Sequence, residues 1–363
     1  MTLTEDSVKA ALKQIQDPVL GKDYVTAREI KSVKVDGGNV TVDVVLSYPA
    51  KSLWDGIRAE VEAKLRTLPG VGQVKVSVTS KVISHAVQAG VALLPGVKNI
   101  VAVASGKGGV GKSTVAVNLA LALAAEGASV GILDADIYGP SQPLMLGLQG
   151  ERPKSTDNKS MEPMEAHGIQ AMSIGFLIDV EQPMVWRGPM VTGALQQLLT
   201  DTRWRDLDFL IVDMPPGTGD IQLTLAQKVP VTGAVIVTTP QDIALLDARK
   251  GLKMFEKVNI PILGIVENMS LHVCSKCGHE EPIFGLGGGA SMAKDYGVDL
   301  LGSLPLDIKI REHGDSGMPT VAAEPNSRIA EIYKQIARRV AAKIADKAKD
   351  MSAVFPKIVI QNT

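Results

Sequence analysis

A glycine-rich run with two lysines carries the most specific chemical signal in the sequence. It fits the pattern G-x-x-x-x-G-K-[ST] and reads Gly106-Lys107-Gly108-Gly109-Val110-Gly111-Lys112-Ser113-Thr114. An apolar segment (IVAVA) precedes it and a helix-forming segment (VAVNLALALAAE) follows it, which is the context of a phosphate-binding loop. Its N–H groups would face phosphate oxygens, Lys112 would bridge the β- and γ-phosphates, and the Ser113 hydroxyl would bind Mg²⁺. A turn that binds no ligand is the alternative, and chance agreement of both motif and context is rare.

Acidic residues end two later apolar segments and complete the expected chemistry. Asp213 ends the run FLIVD, where a carboxylate would hold the Mg²⁺ shell through water. Asp134 and Asp136 end another apolar run, and Asp136 is predicted to orient the water that attacks the γ-phosphate. A cap or turn role is the alternative for these carboxylates. The pattern therefore predicts a Mg²⁺-dependent nucleotide hydrolase with Lys112, Asp136 and Asp213 as catalytic residues.

Lys107 is a second lysine inside the phosphate loop, and the general loop pattern does not require it. An ordinary surface lysine is one interpretation. The sharper hypothesis is that Lys107 reaches the phosphates bound by a second copy of the chain, as an arginine finger does in trans. This hypothesis adds Lys107 to the catalytic residues and predicts a homodimer whose ATP hydrolysis depends on pairing.

The two cysteines of the chain lie in the polar segment Cys274-Ser275-Lys276-Cys277. The spacing lets both sulfurs point at one metal, but iron–sulfur clusters and structural zinc sites each use about four ligands. A two-fold axis beside this segment would bring together four thiolates from two copies. Three alternatives remain open: a zinc site that includes His272 or His279, a thiol–disulfide redox pair, and chemically inert cysteines.

The overall composition excludes several classes of protein. The 363 residues are 45% apolar and 21% charged, which favours a globular chain of roughly two domains. A net charge of −1 lacks the basic excess of a general nucleic-acid binder. We predict no nucleic-acid partner, no stable membrane association and a cytoplasmic location, because the apolar runs are short and the N-terminal residues are polar and acidic.

The chain divides near residue 85. Residues 1–85 are predicted to form a small α+β domain, with helical spacing up to Ile15, an alternating strand from Val40 to Leu46, and a second helix that ends near Leu65. Residues 86–97 are predicted to be a linker, residues 98–348 the ATPase domain, and residues 349–363 a C-terminal tail. We find no catalytic constellation in the first domain, for which a docking or regulatory role is predicted.

The second domain alternates short apolar runs with helical segments. Runs of Val, Ile and Leu without polar alternation are typical of parallel strands buried on both faces. The pattern therefore predicts a doubly wound, mostly parallel α/β sheet of the P-loop NTPase type, closed by a long amphipathic helix. The predicted strands are Ile100–Ala104, Val130–Leu133, Phe209–Val212, Ala234–Val237, Leu263–Val266 and Leu300–Leu304.

Five segments together give the sequence a specific family resemblance. The early lysine of the phosphate loop is similar to that of the MinD/ParA/nitrogenase-iron-protein class of P-loop ATPases. The full set resembles the Mrp/ApbC family of iron–sulfur cluster carriers over most of residues 98–345. The first domain resembles a small domain, related to iron–sulfur assembly factors, that bacterial members carry. The segments are KGGVGKST, DADIYGPS (134–141), WRGP (186–189), DMPPGTGD (213–220) and VENMS (266–270).

The resemblance implies roles for individual residues. By it, Lys107 is the signature lysine, Asp136 the switch-I acid and Asp213 the Walker-B acid. Asn268 is similar to an asparagine that contacts adenine, and the segment from Pro305 to Asp307 resembles a second loop on the adenine side.

The resemblance also implies a cargo and partners. It predicts a labile [4Fe–4S] cluster held by Cys274 and Cys277 of two subunits, and its transfer to apo-proteins in concert with cluster assembly machinery. An ATPase that partitions cellular components, or a dimer bridged by structural zinc, is the alternative. The ATP-dependent cluster carrier is the function that the sequence favours.

Overall fold

Two compact units make up the chain, one formed by residues 1–83 with 341–363 and the other by residues 84–340. The computed structural model describes residues 3–85, 94–155, 157, 159–178, 188–274 and 276–354. Residues 86–93 of the predicted linker and residues 355–363 of the predicted tail lie outside the described residues. The domain boundaries given above therefore stay a prediction.

The smaller unit contains a three-stranded sheet in the order β1–β2–β3. Strands β1 and β2 are antiparallel, whereas β2 and β3 are parallel. The predicted alternation in β2 is confirmed, because Val40, Val42, Val44 and Leu46 are at most 1% exposed. The first helix ends earlier than predicted, at Leu12. The elements are α1 (Glu5–Leu12), β1 (Ile30–Asp36), β2 (Asn39–Leu46), α2 (Trp54–Leu65) and β3 (Val74–Ser80).

The larger unit alternates strands and helices, as the sequence predicts. Its elements are β4 (Val97–Ala104), α3 (Lys112–Ala125), β5 (Val130–Asp134), α4 (Gln142–Met145), β6 (Met164–Ala166), β7 (Ile169–Ser173), α5 (Gly188–Thr200), β8 (Leu207–Asp213), α6 (Asp220–Lys228), β9 (Gly233–Thr238), α7 (Asp242–Lys257), β10 (Ile262–Glu267), β11 (His272–Val273), β12 (Glu280–Glu281), α8 (Gly288–Tyr296), β13 (Leu300–Ser303), α9 (Ile308–Asp315), α10 (Thr320–Ala323) and the part of α11 (Arg328–Val354) up to Val340.

Eight of these strands form one sheet in the order β13–β10–β9–β4–β8–β5–β7–β6. The predicted doubly wound, mostly parallel α/β architecture is confirmed, and each of the six predicted strands has its counterpart in β4, β5, β8, β9, β10 or β13. Two strands of this eight-stranded sheet were not predicted. These are β7, which pairs in parallel with β5, and the short edge strand β6, which is antiparallel to β7.

The strand order places the predicted chemical groups at one edge of the sheet. Strand β8 lies between β4 and β5, with Val103 paired to Asp213 and Asp213 paired to Asp134. The phosphate loop follows β4 directly. Because the carboxyl ends of parallel strands meet at the same edge, the loop and both acids come together where doubly wound folds bind their ligands.

Helix α11 is packed closely against this sheet. Ile336 and Val340 are fully buried, and a Cβ added to Gly302 on β13 would lie 2.7 Å from the Ile336 side chain. The buried Arg338 guanidinium forms an ion pair of 2.5 Å with Glu126 at the end of α3. Helix α11 continues through residues 349–354 of the predicted tail. Among the described residues, no helix combines the length and apolar character that crossing a bilayer requires.

Candidate nucleotide site and cysteine pair

The phosphate loop has the backbone shape that its glycines predict. Gly109 and Gly111 both have φ of +82°, a region that residues with a Cβ rarely adopt. The N–H groups of residues 108–112 donate no hydrogen bond to any atom of the described residues. The loop also leads into the N-terminus of α3, where the first-turn N–H groups have no partner within the helix. These donors form a cradle for phosphate oxygens.

The loop is also held tightly from outside. A Cβ added to Gly106 would lie 2.2 Å from the Asp247 carbonyl oxygen on α7, and one added to Gly111 would lie 2.2 Å from Asn268 Nδ2. Neither position leaves space for a side chain. Val110 is buried, whereas Gly108 and Gly109 are exposed. The cradle is therefore open toward solvent and closed toward the protein.

Lys112, Ser113 and Asp213 meet beneath the loop. The Lys112 ammonium forms an ion pair with the Asp213 carboxylate and donates a hydrogen bond of 3.0 Å to Ser113 Oγ. Lys112 is 6% exposed and Asp213 is fully buried. A buried carboxylate next to a hydroxyl is a donor set that suits Mg²⁺, and the lysine now neutralises the charge that a cation would neutralise.

Asp134 organises the segment that carries Asp136. Its carboxylate accepts hydrogen bonds from the backbone N–H groups of Asp136 (3.1 Å), Ser141 (3.0 Å) and Gln142 (3.0 Å). Burial, together with the nearby Asp213 carboxylate, raises the pKa of Asp134 to about 7. Asp134 thus anchors the turn, although the sequence pattern singled out Asp136 rather than Asp134 for a chemical role.

Asp136 is partly buried and lies close enough to Lys112 and Asp213 to interact with their charges. Burial raises the pKa of its carboxyl above the usual value, while the Lys112 charge opposes that shift. A carboxylate with a raised pKa beside the phosphate cradle can accept a hydrogen bond from a water molecule. The structure therefore brings Asp136 and Asp213 to the phosphate loop, as the sequence predicts.

Gln142 is a site residue that the sequence reasoning missed. Its side-chain Nε2 donates to Asp213 Oδ2 (2.9 Å) and to the Ser113 carbonyl (3.2 Å). Its Oε1 and the neighbouring Ser141 Oγ are buried and have no hydrogen-bond partner among the described residues. Two orphaned oxygen atoms beside a carboxylate and a hydroxyl fit the water molecules that a bound Mg²⁺ keeps in its shell.

The cysteine pair occupies a tight turn between two short strands. Strands β11 and β12 are antiparallel, and within the turn the Gly278 N–H donates to the Cys274 carbonyl (2.8 Å). Backbone hydrogen bonds from Lys276 and Cys277, and one from the Cys277 thiol, lower the pKa of the Cys274 thiol. The two sulfurs are therefore side by side, with Cys274 half-buried and Cys277 exposed.

The described residues supply no further ligand for these thiols. No group of three or more His, Cys, Asp or Glu side chains among them has the geometry of a metal site. The His272 Nδ1 atom lies 3.1 Å from the Leu306 carbonyl and is engaged in the fold. Among the described residues, neither His272 nor His279 joins the two cysteines in a group that could hold a metal ion.

Comparison with known proteins identifies the family. Residues 96–341 match the family described as NUBPL iron-transfer P-loop NTPase. The chain belongs to this family. Residues 5–78 match a second family, described as iron-sulfur cluster assembly protein. The resemblance stated above from the sequence motifs is thus confirmed.

Several relatives match this chain over more than nine-tenths of their own length. An iron-sulfur cluster carrier protein of Pseudomonas fragi is 63% identical over 76% of this chain and 97% of its own length. An iron-sulfur cluster carrier protein of Escherichia coli K12 is 51% identical over 93% of this chain and 91% of its own.

Solved structures of related proteins agree with the fold. A nucleotide-binding protein from Archaeoglobus fulgidus, in complex with ADP, is 38% identical and covers 61% of this chain and 87% of its own, with a TM-score of 0.55. The cell division ATPase MinD of Pyrococcus furiosus is 24% identical, and the match covers 67% of this chain and 98% of the MinD chain, with a TM-score of 0.50. The second likeness supports the fold alone.

The residues assigned by family resemblance occupy two adjoining loops of this NTPase. Asn268 is 6% exposed, and its Nδ2 donates to the Val110 carbonyl of the phosphate loop (2.9 Å). Pro305 lies in a segment that is hydrogen-bonded to the Asn268 loop, since the Leu304 N–H donates to the Glu267 carbonyl (2.8 Å). Asp307 caps α9, where its carboxylate accepts from the Lys309 N–H. An adenine contact at these residues stays a prediction.

Two further predictions concern Lys107 and the WRGP segment. Lys107 is partly exposed and directly precedes the exposed Gly108 and Gly109. Its action across a dimer stays a prediction. Trp186 and Arg187 of the WRGP segment lie outside the described residues, and α5 begins at Gly188.

Proposed function

We propose that the protein is an ATP-dependent carrier that holds a labile [4Fe–4S] cluster between two copies of itself and transfers it to apo-proteins. The observation that carries this proposal is the cysteine turn, where a half-buried and an exposed thiol lie side by side without a third ligand among the described residues. A cubane cluster needs about four thiolates. A second copy related by a two-fold axis supplies the missing pair.

Apolar surface close to the cysteine turn supports pairing. Leu286 and Ile283 follow the turn and are 75% and 51% exposed, and Ile243 and Leu246 on α7 are 68% and 56% exposed. The two segments are in contact, because a Cβ added to Gly288 would lie 2.5 Å from the Pro240 carbonyl just before α7. Exposed apolar side chains grouped in this way are typical of an interface with another protein.

The phosphate site supports ATP hydrolysis by residues of this chain. Lys112 binds the β- and γ-phosphates, and Asp136 orients the attacking water molecule. Ser113, and Asp213 through water, would hold Mg²⁺, which when bound neutralises charge on the phosphates. Lys107 stabilises the charge at the phosphates of the partner copy, so that hydrolysis requires the dimer.

A continuous set of hydrogen bonds connects the phosphate loop with the cysteine turn. Asn268 joins the Val110 carbonyl to the loop after β10. That loop is bonded to the segment after β13, since the Ser270 N–H donates to the Leu304 carbonyl (2.9 Å) and the Leu306 N–H to the Leu271 carbonyl (2.8 Å). Strand β11 and the cysteines follow immediately. We infer that hydrolysis shifts this loop pair and alters how firmly the cluster is held.

Membrane partitioning, the rival function, finds no support in the terminal helix. A membrane-targeting version would present a detachable amphipathic helix. Here Ile336 and Val340 are buried against the sheet, and Arg338 is tied to Glu126 by a buried ion pair. We therefore propose a protein of the cytoplasm, where thiols stay reduced, with no nucleic-acid partner and no stable membrane association.

The cluster assignment is tested by anaerobic reconstitution with iron and sulfide. Wild type, Cys274→Ala and Cys277→Ala are compared, with His279→Ala as the matched control beside the turn. We expect cluster absorbance and four irons per dimer for wild type and the control, and loss of both for the cysteine variants. Stoichiometric zinc without sulfide-dependent absorbance would instead identify the zinc-bridged dimer.

The role of Lys107 is tested by the dependence of ATPase rate on protein concentration. The rate per subunit should rise with concentration as dimers form. Mixing Lys107→Ala with a Lys112→Ala variant should restore activity in the mixed dimer, because one site then keeps both lysines. Lys294→Ala, which removes an exposed lysine on α8, serves as control. A rate per subunit that is independent of concentration across dimer dissociation would remove the trans hypothesis.

A further inference from the structure

Gln142 occupies the first position of α4, directly after the segment that carries Asp136. Its side chain is 1% exposed, and its Nε2 bridges Asp213 Oδ2 and the Ser113 carbonyl. These two partners belong to β8 and α3. One carboxamide thus connects three elements that surround the predicted Mg²⁺ ligands.

The orientation of this carboxamide follows from its neighbours. Asp213 Oδ2 and the Ser113 carbonyl are both acceptors, so the amide nitrogen has to face them. The Oε1 atom therefore points the other way, and it is buried without a partner among the described residues. A buried carbonyl oxygen without a hydrogen bond is costly, which calls for a donor that binds there.

We propose that Gln142 is a positioning residue that holds the Asp213 carboxylate and accepts a hydrogen bond from a water molecule in the shell of nucleotide-bound Mg²⁺. The inference rests on the proposed nucleotide site. Mg²⁺ dehydrates reluctantly and keeps several water molecules, each with protons to donate. Outer partners of this kind orient the ligands and strengthen metal binding.

A purely structural role predicts a different pattern of effects. If Gln142 only tied α4 to the sheet, its loss would weaken nucleotide binding equally with and without Mg²⁺. Contact with the Mg²⁺ shell makes the loss specific to the Mg²⁺ complex. The ratio of nucleotide affinities in Mg²⁺ and in EDTA separates the two roles.

The test measures mant-ADP binding to the full-length protein in Mg²⁺ and in EDTA. Gln142→Met keeps the length of the side chain and removes both polar groups, and Gln142→Asn withdraws the carboxamide by one methylene. The control is Gln170→Met, because the Gln170 carboxamide also binds main-chain groups, but those of Arg205, and makes no contact with Asp213 or Ser113 among the hydrogen bonds of the described residues. Far-UV circular dichroism checks folding, and Mn²⁺ binding with ADP present, read by electron paramagnetic resonance, is the second readout.

We expect Mg²⁺ to tighten mant-ADP binding to wild type and to the control alike. In both Gln142 variants this gain should fall about tenfold, the size of one strong hydrogen bond, so that nucleotide affinity falls more in Mg²⁺ than in EDTA, and Mn²⁺ should be bound more weakly. An unaltered gain, or equal losses in Mg²⁺ and EDTA, would overturn the assignment of Gln142. A wild-type protein that binds no mant-ADP at all would overturn the nucleotide site itself.

Discussion

Gly111 offers a quantitative test of the contact between the phosphate loop and the Asn268 loop. It has φ of +82°, and an added Cβ would lie 2.2 Å from Asn268 Nδ2. The Gly111→Ala substitution therefore costs about 1–2 kcal/mol in backbone strain. It also displaces Asn268 and breaks its bond to the Val110 carbonyl, which adds about 1 kcal/mol.

The expected energies can be arranged in a double-mutant cycle. Asn268→Ala alone loses the same bond and costs about 1 kcal/mol. The double variant keeps the backbone strain at position 111 and lacks the Asn268 hydrogen bond, but the clash with Asn268 is gone. Its free energy of unfolding should therefore fall by about 2–3 kcal/mol. The loss of unfolding free energy in the double variant should thus be about 1 kcal/mol smaller than the sum of the losses in the two single variants. This difference exceeds the usual deviation from additivity between independent sites.

Urea unfolding followed by tryptophan fluorescence measures these energies. A Trp54→Phe background removes the tryptophan of the smaller unit, so that the two remaining tryptophans, Trp186 and buried Trp204, report on the larger one. Gly108→Ala is the matched control, because a Cβ there meets no atom within 4 Å and φ is not positive. Strictly additive costs for Gly111 and Asn268 would refute the contact and, with it, the proposed route from nucleotide to cluster.

Three further predictions concern buried charge and thiol reactivity. Arg338→Met should lower the free energy of unfolding by about 3–5 kcal/mol because it removes the buried guanidinium that forms an ion pair with the buried Glu126 carboxylate, whereas adding Glu126→Gln should recover most of the loss in urea titrations. Burial raises the pKa of Asp134 to about 7, so the folded state holds its proton more tightly than the unfolded state. The contribution of Asp134 to the free energy of unfolding should fall as pH rises from about 4 to about 7 in magnesium-free buffer. The free energy of unfolding should therefore depend less steeply on pH in Asp134→Asn than in wild type over that range. Backbone hydrogen bonds lower the pKa of Cys274, so in a Cys277→Ala variant its alkylation by iodoacetamide at neutral pH, followed by mass spectrometry, should be faster than that of N-acetylcysteine.

The phosphate site could be predicted from the sequence because its parts are local. The loop motif, the strand before it and the helix after it are contiguous, and Asp213 is marked by the apolar run that it ends. Parallel strands place such ends side by side, so a correct strand assignment already brings the acids near the loop.

The missed features arise from contacts between distant segments or from weak local patterns. Gln142 meets Asp213 across 71 positions, and Asn268 meets Val110 across 158, so neither contact has a local signature. Strands β6 and β7 are short, and the edge strand lacks a continuous apolar run. The end of α1 at Leu12 was missed because Ile15, which keeps the helical spacing, is buried in the turn that follows.

The central claim is that two copies of the chain share one cluster through four thiolates. Native mass spectrometry of the anaerobically reconstituted protein tests this claim most directly, because it reports subunit number and inorganic content in one mass. The account predicts a dimer that carries a single [4Fe–4S] cluster, with cluster-free protein after either cysteine is replaced. A monomer that carries a complete cluster would contradict it.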